Sequence, residues 1–129
     1  MPDGRRRVNA EQATVAYLKT VPGLSGAGIG FTLPPGAKPT GGTYITVERS
    51  GGSTRNHVDT AQLTVMVWAP TPWTASDTMH RVLAPALRSM ADESPDVGMS
   101  RVDGIVEDSY PSDPVWPRWT AQLTMTCVL

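Results

Sequence analysis

Hydrophobic and polar side chains alternate with a period of two along much of this chain. In the strongest example Leu63, Val65 and Val67 are separated by Thr64 and Met66. Such alternation is typical of β-strands in an antiparallel sheet that is covered on one face. The alternation is stronger in some segments than in others, and it predicts strands at residues 26–33, 43–49, 58–69, 97–107 and 119–129.

Residues 9–21 instead follow the helical period of 3.6 residues, with their apolar side chains on one face. Asn9 is placed as the N-cap, and Gln12 stands where the second member of a capping box belongs. Pro22 and Gly23 end the pattern. We therefore expect a short amphipathic helix at the start of the chain.

A second helix is predicted by an apolar stripe that runs from Met79 to Met90. Thr74 is placed as its N-cap, with Asp77 three residues further on. Pro85 lies inside the stripe, where it removes a backbone hydrogen bond. We expect a kink at this point, or a junction between two helices.

The predicted elements follow the order α-β-β-β-α-β-β, and stretches rich in proline, glycine or other turn residues separate several of them at residues 33–42, 50–57 and 108–118. The simplest packing is an α+β domain in which two amphipathic helices cover one face of a mainly antiparallel sheet of four to five strands. We place this single domain at residues 9–129 and an N-terminal arm at residues 1–8.

Length, charge and composition exclude several classes of protein. A chain of 129 residues has room for one hydrophobic core. Its net charge of −1 argues against duplex DNA as the main partner, since binding phosphates needs a basic face. No apolar run approaches the roughly 18 residues that cross a bilayer, and no apolar segment follows the basic N-terminus. We expect a soluble, cytoplasmic chain with no membrane partner.

No combination of side chains predicts catalysis or metal binding. His57 and His80 lack partners at metal-ligand spacing, and the single cysteine, Cys127, lies on the apolar face of a strand. The glycine clusters at 23–30 and 50–56 match neither the dinucleotide-binding nor the phosphate-binding pattern. We expect no enzyme, no cofactor and no metal. The carboxylates that we interpret as solvated are Asp92, Glu93, Asp103, Glu107, Asp108 and Asp113.

Aromatic and basic residues leave two interpretations open. Trp68 lies with Tyr44 and Met66 on the face of the sheet that is turned away from the helices, where it serves either local packing or a protein contact. The run Arg5, Arg6 and Arg7 either forms a solvated arm or binds nucleic acid or an acidic protein surface. The other three tryptophans, Trp73, Trp116 and Trp119, lie in or beside proline-rich loops.

Three segments together resemble a known family. They are the opening helix with its Gly/Pro-rich continuation into YITVERSGG, the strand DTAQLTVMVWA that runs directly into a capped helix, and the ending IVEDSYPSDPVWPRWTAQLTMTCVL. From about residue 9 onward the chain resembles the small tail terminator proteins, also called tail completion or tail-to-head joining proteins, of long-tailed phages, particularly those that infect actinobacteria. Pro85 and the glycines of the 97–107 strand, Gly98 and Gly104, depart from this pattern.

The resemblance implies a structural virion protein without catalytic activity. Proteins of this kind form a ring, usually of six copies, that caps the head-proximal end of the tail tube, ends tube polymerisation and presents a docking surface to the head connector. The implied partners are other copies of the chain, the tail tube protein and the connector or stopper protein, while DNA only passes through the lumen. Assembly would take place in the host cytoplasm.

We place the contact surfaces in the loops 33–42 and 50–57 and in the segment 113–119. The residues that we assign to an interface are Arg55, Asn56, His57, Trp68, Trp116 and Arg118. Two alternatives stay open: another ring of the phage neck, such as a head-completion or stopper protein, and a small nucleic-acid-binding module. The latter would combine Arg5, Arg6 and Arg7 with stacking on Trp116 and Trp119.

Overall fold

The computed structural model describes residues 9–128; the arm 1–8, with its three arginines, lies outside the described residues. The helices are α1 (Ala10–Leu18), α2 (Pro72–Asp77) and α3 (Ala84–Glu93). The strands are β1 (Gly28–Gly30), β2 (Tyr44–Arg55), β3 (Val58–Trp68), β4 (Val97–Glu107) and β5 (Arg118–Val128). Five strands are thus present at the five predicted places, and residues 33–42 form a loop as expected.

The strands form one sheet in the order β1-β2-β3-β5-β4. β1 is parallel to β2, and every other neighbouring pair is antiparallel. The predicted α+β class with a mainly antiparallel sheet is therefore confirmed. A single core cluster joins the helices to one face of the sheet, and its largest fully buried side chains are Leu18, Ile45, Leu63, Met79, Leu83, Leu87, Met90, Leu123 and Met125.

The first helix begins as its sequence predicts. The Asn9 side chain accepts a hydrogen bond from the Gln12 amide at 2.7 Å, and the Gln12 side chain accepts one from the Asn9 amide at 3.4 Å. This reciprocal pair is a capping box. The α-helix ends at Leu18, three residues earlier than predicted, and a 3-10 turn (Pro22–Leu24) follows it.

The prediction that Thr74 caps the second helix is wrong. The helix begins at Pro72, and Thr71 is its N-cap, whose hydroxyl accepts a hydrogen bond from the Thr74 amide at 3.1 Å. Pro72 suits the first helical position because its missing N–H would have no intrahelical partner there. Thr74 therefore supplies the donor of the cap and not the acceptor.

The irregularity expected at Pro85 is a π-helical turn (Thr78–Leu83) between α2 and α3. The Ala84 amide donates to the carbonyl of Met79, five residues earlier. Since Pro85 has no N–H and its ring crowds the preceding turn, a wider turn admits it without breaking the helix. Two helices do meet near Pro85, but through a continuous backbone.

The prediction of a loop at residues 50–57 is wrong for most of this segment. β2 continues to Arg55, and only Asn56 and His57 form the turn to β3. Both turn residues have positive φ, 53° and 64°, as a tight two-residue hairpin requires. A bulge between Arg49 and Gly51 shifts the register and lets the glycine-rich segment stay paired with β3.

Candidate interaction surfaces

An aromatic cluster lies on the sheet face opposite the helices, at the end where β3 finishes. The Trp116 ring packs edge-on against Trp68 and Tyr44, with centroid distances of 5.2 and 6.0 Å. Tyr110 packs against Trp68 at 5.6 Å. The Trp68 indole N–H donates to the hydroxyl of Thr46 at 3.0 Å, which fixes the ring at the centre of the cluster.

Arg118 completes this cluster from the first position of β5. Its guanidinium lies 4.8 Å from the centre of the Trp68 ring and 5.4 Å from that of Tyr110, within the range of a cation–π contact. The same group donates to the backbone oxygen of Asp108 at 2.7 Å and to its carboxylate at 2.8 Å. Arg118 therefore ties both ends of the loop 108–117 to the sheet.

The loop 108–117 covers Trp68, so of the two interpretations left open for this residue the structure shows local packing. Trp68 and Trp116 are each only 6% exposed. Local packing therefore explains both rings, and their assignment to an interface stays a prediction. Two residues of the covering loop, Tyr110 and Val115, remain exposed and form its outer surface.

A second exposed aromatic residue belongs to the same end of the sheet. Trp73 lies in the first turn of α2, five residues after the end of β3, and is 71% exposed. Trp119 belongs to β5, next to Arg118, and packs against His80 with ring centres 4.8 Å apart. Of these two tryptophans, only Trp73 presents most of its indole to solvent.

Arg55, Asn56 and His57 lie at the opposite end of the sheet. All three are exposed at the tip of the β2–β3 hairpin. The 11 residues of β3 separate this tip from Trp68 by about 35 Å. The six residues assigned to an interface therefore form two groups, with Trp68, Trp116 and Arg118 at one end and the hairpin tip at the other.

An ion pair between the partly exposed Arg49 and the buried Asp59 lies near the hairpin end, and it was not identified from the sequence. Two guanidinium nitrogens of Arg49 each donate to a carboxylate oxygen of Asp59 at 2.7 Å. These hydrogen bonds hold the pKa of Asp59 below its usual value, although burial opposes them. The alternation in the sequence could have identified this pair. Arg49 follows Ile45 and Val47 at the spacing of core-facing positions, and Asp59 precedes Ala61 and Leu63 at the same spacing.

A groove of about 350 Å³ lies between the end of α1 and the π-helical turn, lined in part by Tyr17, Val21 and Pro85. The Tyr17 hydroxyl donates to the Ala86 carbonyl at 2.9 Å and lies 3.2 Å from a Glu93 carboxylate oxygen. Burial, with the nearby Glu93 charge, raises the pKa of this phenol. Tyr17 thus joins α1 to α3 in a structural role.

Residues 9–128 contain no group of three or more His, Cys, Asp or Glu side chains placed to hold a metal ion. Cys127 is 1% exposed, and burial raises the pKa of its thiol to about 11. No helix in the same range is both long and apolar enough to cross a membrane.

Comparison of the sequence with models of protein families, and with curated proteins, finds no match.

Proposed function

We propose that this protein is a structural virion component that forms a ring at the head-proximal end of a phage tail tube. There it ends tube polymerisation and provides the docking surface for the head connector. The proposal starts from the resemblance to tail terminator proteins carried by the order and pattern of the elements, from α1 to β5. The α+β fold is compatible with it.

The observation that carries the proposal is the chemical difference between the two ends of the sheet. One end exposes apolar and aromatic side chains, those of Trp73, Tyr110 and Val115. The other end exposes the polar and basic hairpin tip with Arg55 and His57. A ring whose axis follows the strands would present these ends on its two rims. A joining ring needs two different rims, because the tube and the connector are different partners.

The apolar end has the character of a protein contact. Exposed apolar groups that adjoin one another mark association surfaces, and tryptophan and tyrosine are enriched at such contacts. Tyr110 and Val115 belong to a loop held by Arg118, so this loop does not have to be ordered when a partner binds. A pre-ordered loop lowers the entropic cost of association.

The nucleic-acid-binding alternative has less support. It needs Trp116 and Trp119 as exposed stacking platforms. Trp116 is 6% exposed, and Trp119 packs against His80. Neither ring offers a free face comparable to that of Trp73.

The test is removal of the coding sequence from the phage that carries it, followed by electron microscopy of the lysate. We expect tails of irregular, excessive length that are not joined to heads, and restoration of normal particles when the protein is supplied in trans. Head-attached tails of normal length in the deletion would overturn the proposal. Normal-length tails that lack heads would instead indicate a stopper or head-completion ring.

Point variants test the assignment of the apolar end. Trp73→Ala should keep the fold, since the side chain is mostly exposed, but should abolish complementation of the deletion. Arg88→Ala is the control, because Arg88 is also exposed but lies on α3 and not at the apolar end of the sheet. Equal complementation by both variants would show that Trp73 makes no contact needed for tail assembly.

A further inference from the structure

The sheet has an open edge along β2. β1 pairs with β2 only at Tyr44, Ile45 and Thr46. Among the described residues, no strand pairs with β2 on this side from Val47 to Arg55. All of residues 48–55 are exposed except Gly51, which is half-buried. This segment therefore presents unpaired backbone N–H and C=O groups.

The opposite edge of the sheet is β4, which is also open. Its 11 residues pair with β5 on one side, and no described strand lies on the other. Open edges of this length are templates for pairing with another chain, and proteins usually shorten or cover them. Here no described strand covers either long edge, and each edge carries at least one bulge.

The directions of the two edge strands suit a ring. Because β2-β3, β3-β5 and β5-β4 are each antiparallel, β4 runs opposite to β2. When identical copies stand side by side in one orientation, β2 of each copy faces β4 of the next. That pairing is antiparallel, which is slightly more stable than parallel pairing. It is also a head-to-tail contact, the type that closes into rings.

We propose that the open edge of β2, from Val47 to Arg55, pairs in antiparallel fashion with β4 of a second copy of this chain. The inference deepens the proposed function, since it rests on the ring and assigns the subunit contact within it. The β2 edge of each copy is thus occupied by the β4 edge of a neighbouring copy, and the β4 edge by the β2 edge of the next copy. A two-fold β4–β4 contact would leave the β2 edge open, whereas closure of the ring covers both edges.

Charge supports this choice of partner. Following the register across the sheet, Arg55 lies level with Val58 and Val128, and therefore with Asp96 just before β4. Both Arg55 and Asp96 are exposed. In a ring without stagger the basic residue of one copy meets the acidic residue of the next. Opposite charges across paired strands stabilise the pair.

The bulges in the edge strands favour curvature. β2 has an irregularity between Arg49 and Gly51, and β4 has two, at Val97/Met99 and Val102/Gly104. Bulges bend a strand and increase its twist, and sheets that close on themselves use them for this purpose. Gly98 and Gly104 lie at the two irregularities of β4.

Cysteine cross-linking tests the pairing directly. Ser53 lies level with Thr60, Thr126 and Met99 across the sheet, so Ser53→Cys and Met99→Cys mark the same height on the two edges. Within one chain they are three strand spacings apart, about 14 Å. A disulfide needs Cα atoms closer than about 7 Å, so only two different copies can form it.

We expect the double variant to give a ladder of covalent multimers under mild oxidation, ending at the ring. A mixture of the two single variants should give dimers that contain one of each, and each single variant alone should stay monomeric on a denaturing gel. The wild type, with only the buried Cys127, is the control. If the ring is staggered by two residues, the cross-link moves from Met99→Cys to Arg101→Cys.

Cross-linking is measured on the purified protein and on tails from complemented particles. Dimers from Met99→Cys alone, or a ring seen by microscopy without cross-links at either β4 position, overturn the pairing but leave the tail function standing. A ladder from a protein that is absent from tails overturns the tail function but not the pairing. Absence of cross-links in both preparations overturns the pairing.

A charge exchange gives an independent readout. Arg55→Glu should lower the yield of multimers, and adding Asp96→Arg in the same chain should restore it, since the opposite charges then face each other again. Arg88→Glu, on the exposed side of α3, controls for the change in net charge. If the second substitution does not restore assembly, Arg55 and Asp96 of neighbouring copies do not face each other, and the unstaggered register is excluded.

Discussion

The guanidinium carbon of Arg118 lies 4.8 Å above the centre of the Trp68 ring, while its nitrogens hold Asp108. Arg118→Ala should lower the free energy of unfolding by about 2–3 kcal/mol, because it removes a cation–π contact and two hydrogen bonds from a charged donor. The free energy of unfolding of Arg118→Lys should lie between those of the wild type and Arg118→Ala, since lysine keeps the positive charge but not the planar guanidinium group. Urea titration followed by tryptophan fluorescence measures both variants.

Amide hydrogen exchange of residues 108–117 locates this effect. Faster exchange in Arg118→Ala, with unchanged exchange in β3, would place the loss in the covering loop. Arg88→Ala, at an exposed position of α3, is the control and should change stability by less than about 0.5 kcal/mol. An Arg118→Ala variant as stable as this control would contradict the role given to Arg118.

The Arg49–Asp59 pair predicts a dependence of stability on pH. The Asp59 side chain is 4% exposed, and the Arg49 hydrogen bonds lower its pKa in the folded state. The pair therefore stabilises the fold fully above the ordinary value of 3.8, and this contribution disappears as the pH falls through the folded-state value. Asp59→Asn should cost about 2 kcal/mol at pH 7, because it removes the negative charge that accepts two hydrogen bonds from the partly exposed Arg49.

The measurement is the free energy of unfolding from pH 7 to pH 2. The difference between wild type and Asp59→Asn should narrow as the pH falls below about 4. Asp92→Asn, at an exposed site on α3, should follow the wild-type curve. A constant difference between wild type and Asp59→Asn over the whole range would exclude a stabilising charge on Asp59.

Gly23 allows the 3-10 turn to approach the π-helical turn closely. A Cβ atom at Gly23 would lie 2.7 Å from Cγ1 of Val82, closer than such atoms can approach. Valine is stiff about χ1, so making room costs either an unfavourable Val82 rotamer or a shift of the backbone. Gly23→Ala should therefore destabilise the protein by about 1–3 kcal/mol. Gly26→Ala, in the same connection but with open space around it, is the matched control.

Thermal unfolding of the two alanine variants decides this point. Gly26→Ala should unfold at or slightly above the wild-type temperature, since its space is open and alanine restricts the unfolded chain. If Gly23→Ala and Gly26→Ala unfold at the same temperature, the 3-10 turn and the π-helical turn do not approach as closely as described.

Cys127 should be inert in the native protein. Its thiol is buried, and a pKa of about 11 leaves little thiolate at pH 8. A thiol reagent should modify it only as fast as the chain unfolds, and at once in denaturant. Rapid modification without denaturant would show that the end of β5 opens, and it would also remove the wild type as a silent control for cross-linking.

Local patterns in the sequence determined the elements and their faces. Leu63, Val65 and Val67 are buried where their alternation predicts, and Asn9 and Gln12 form the predicted capping box. Alternation and capping involve residues a few positions apart, so the physical cause lies within the segment itself. The two-layer α+β arrangement follows from these faces, because each apolar face needs another to cover it.

Only the tertiary structure decided the extent of β2 and the fate of the aromatic residues. Residues 50–55 are poor strand formers, yet they stay in the sheet because β3 supplies hydrogen-bond partners and a bulge adjusts the register. Trp68, Trp116 and Arg118 meet although up to 50 positions separate them. Contacts of this kind depend on where the sheet places each strand end, and short-range patterns carry no information about that.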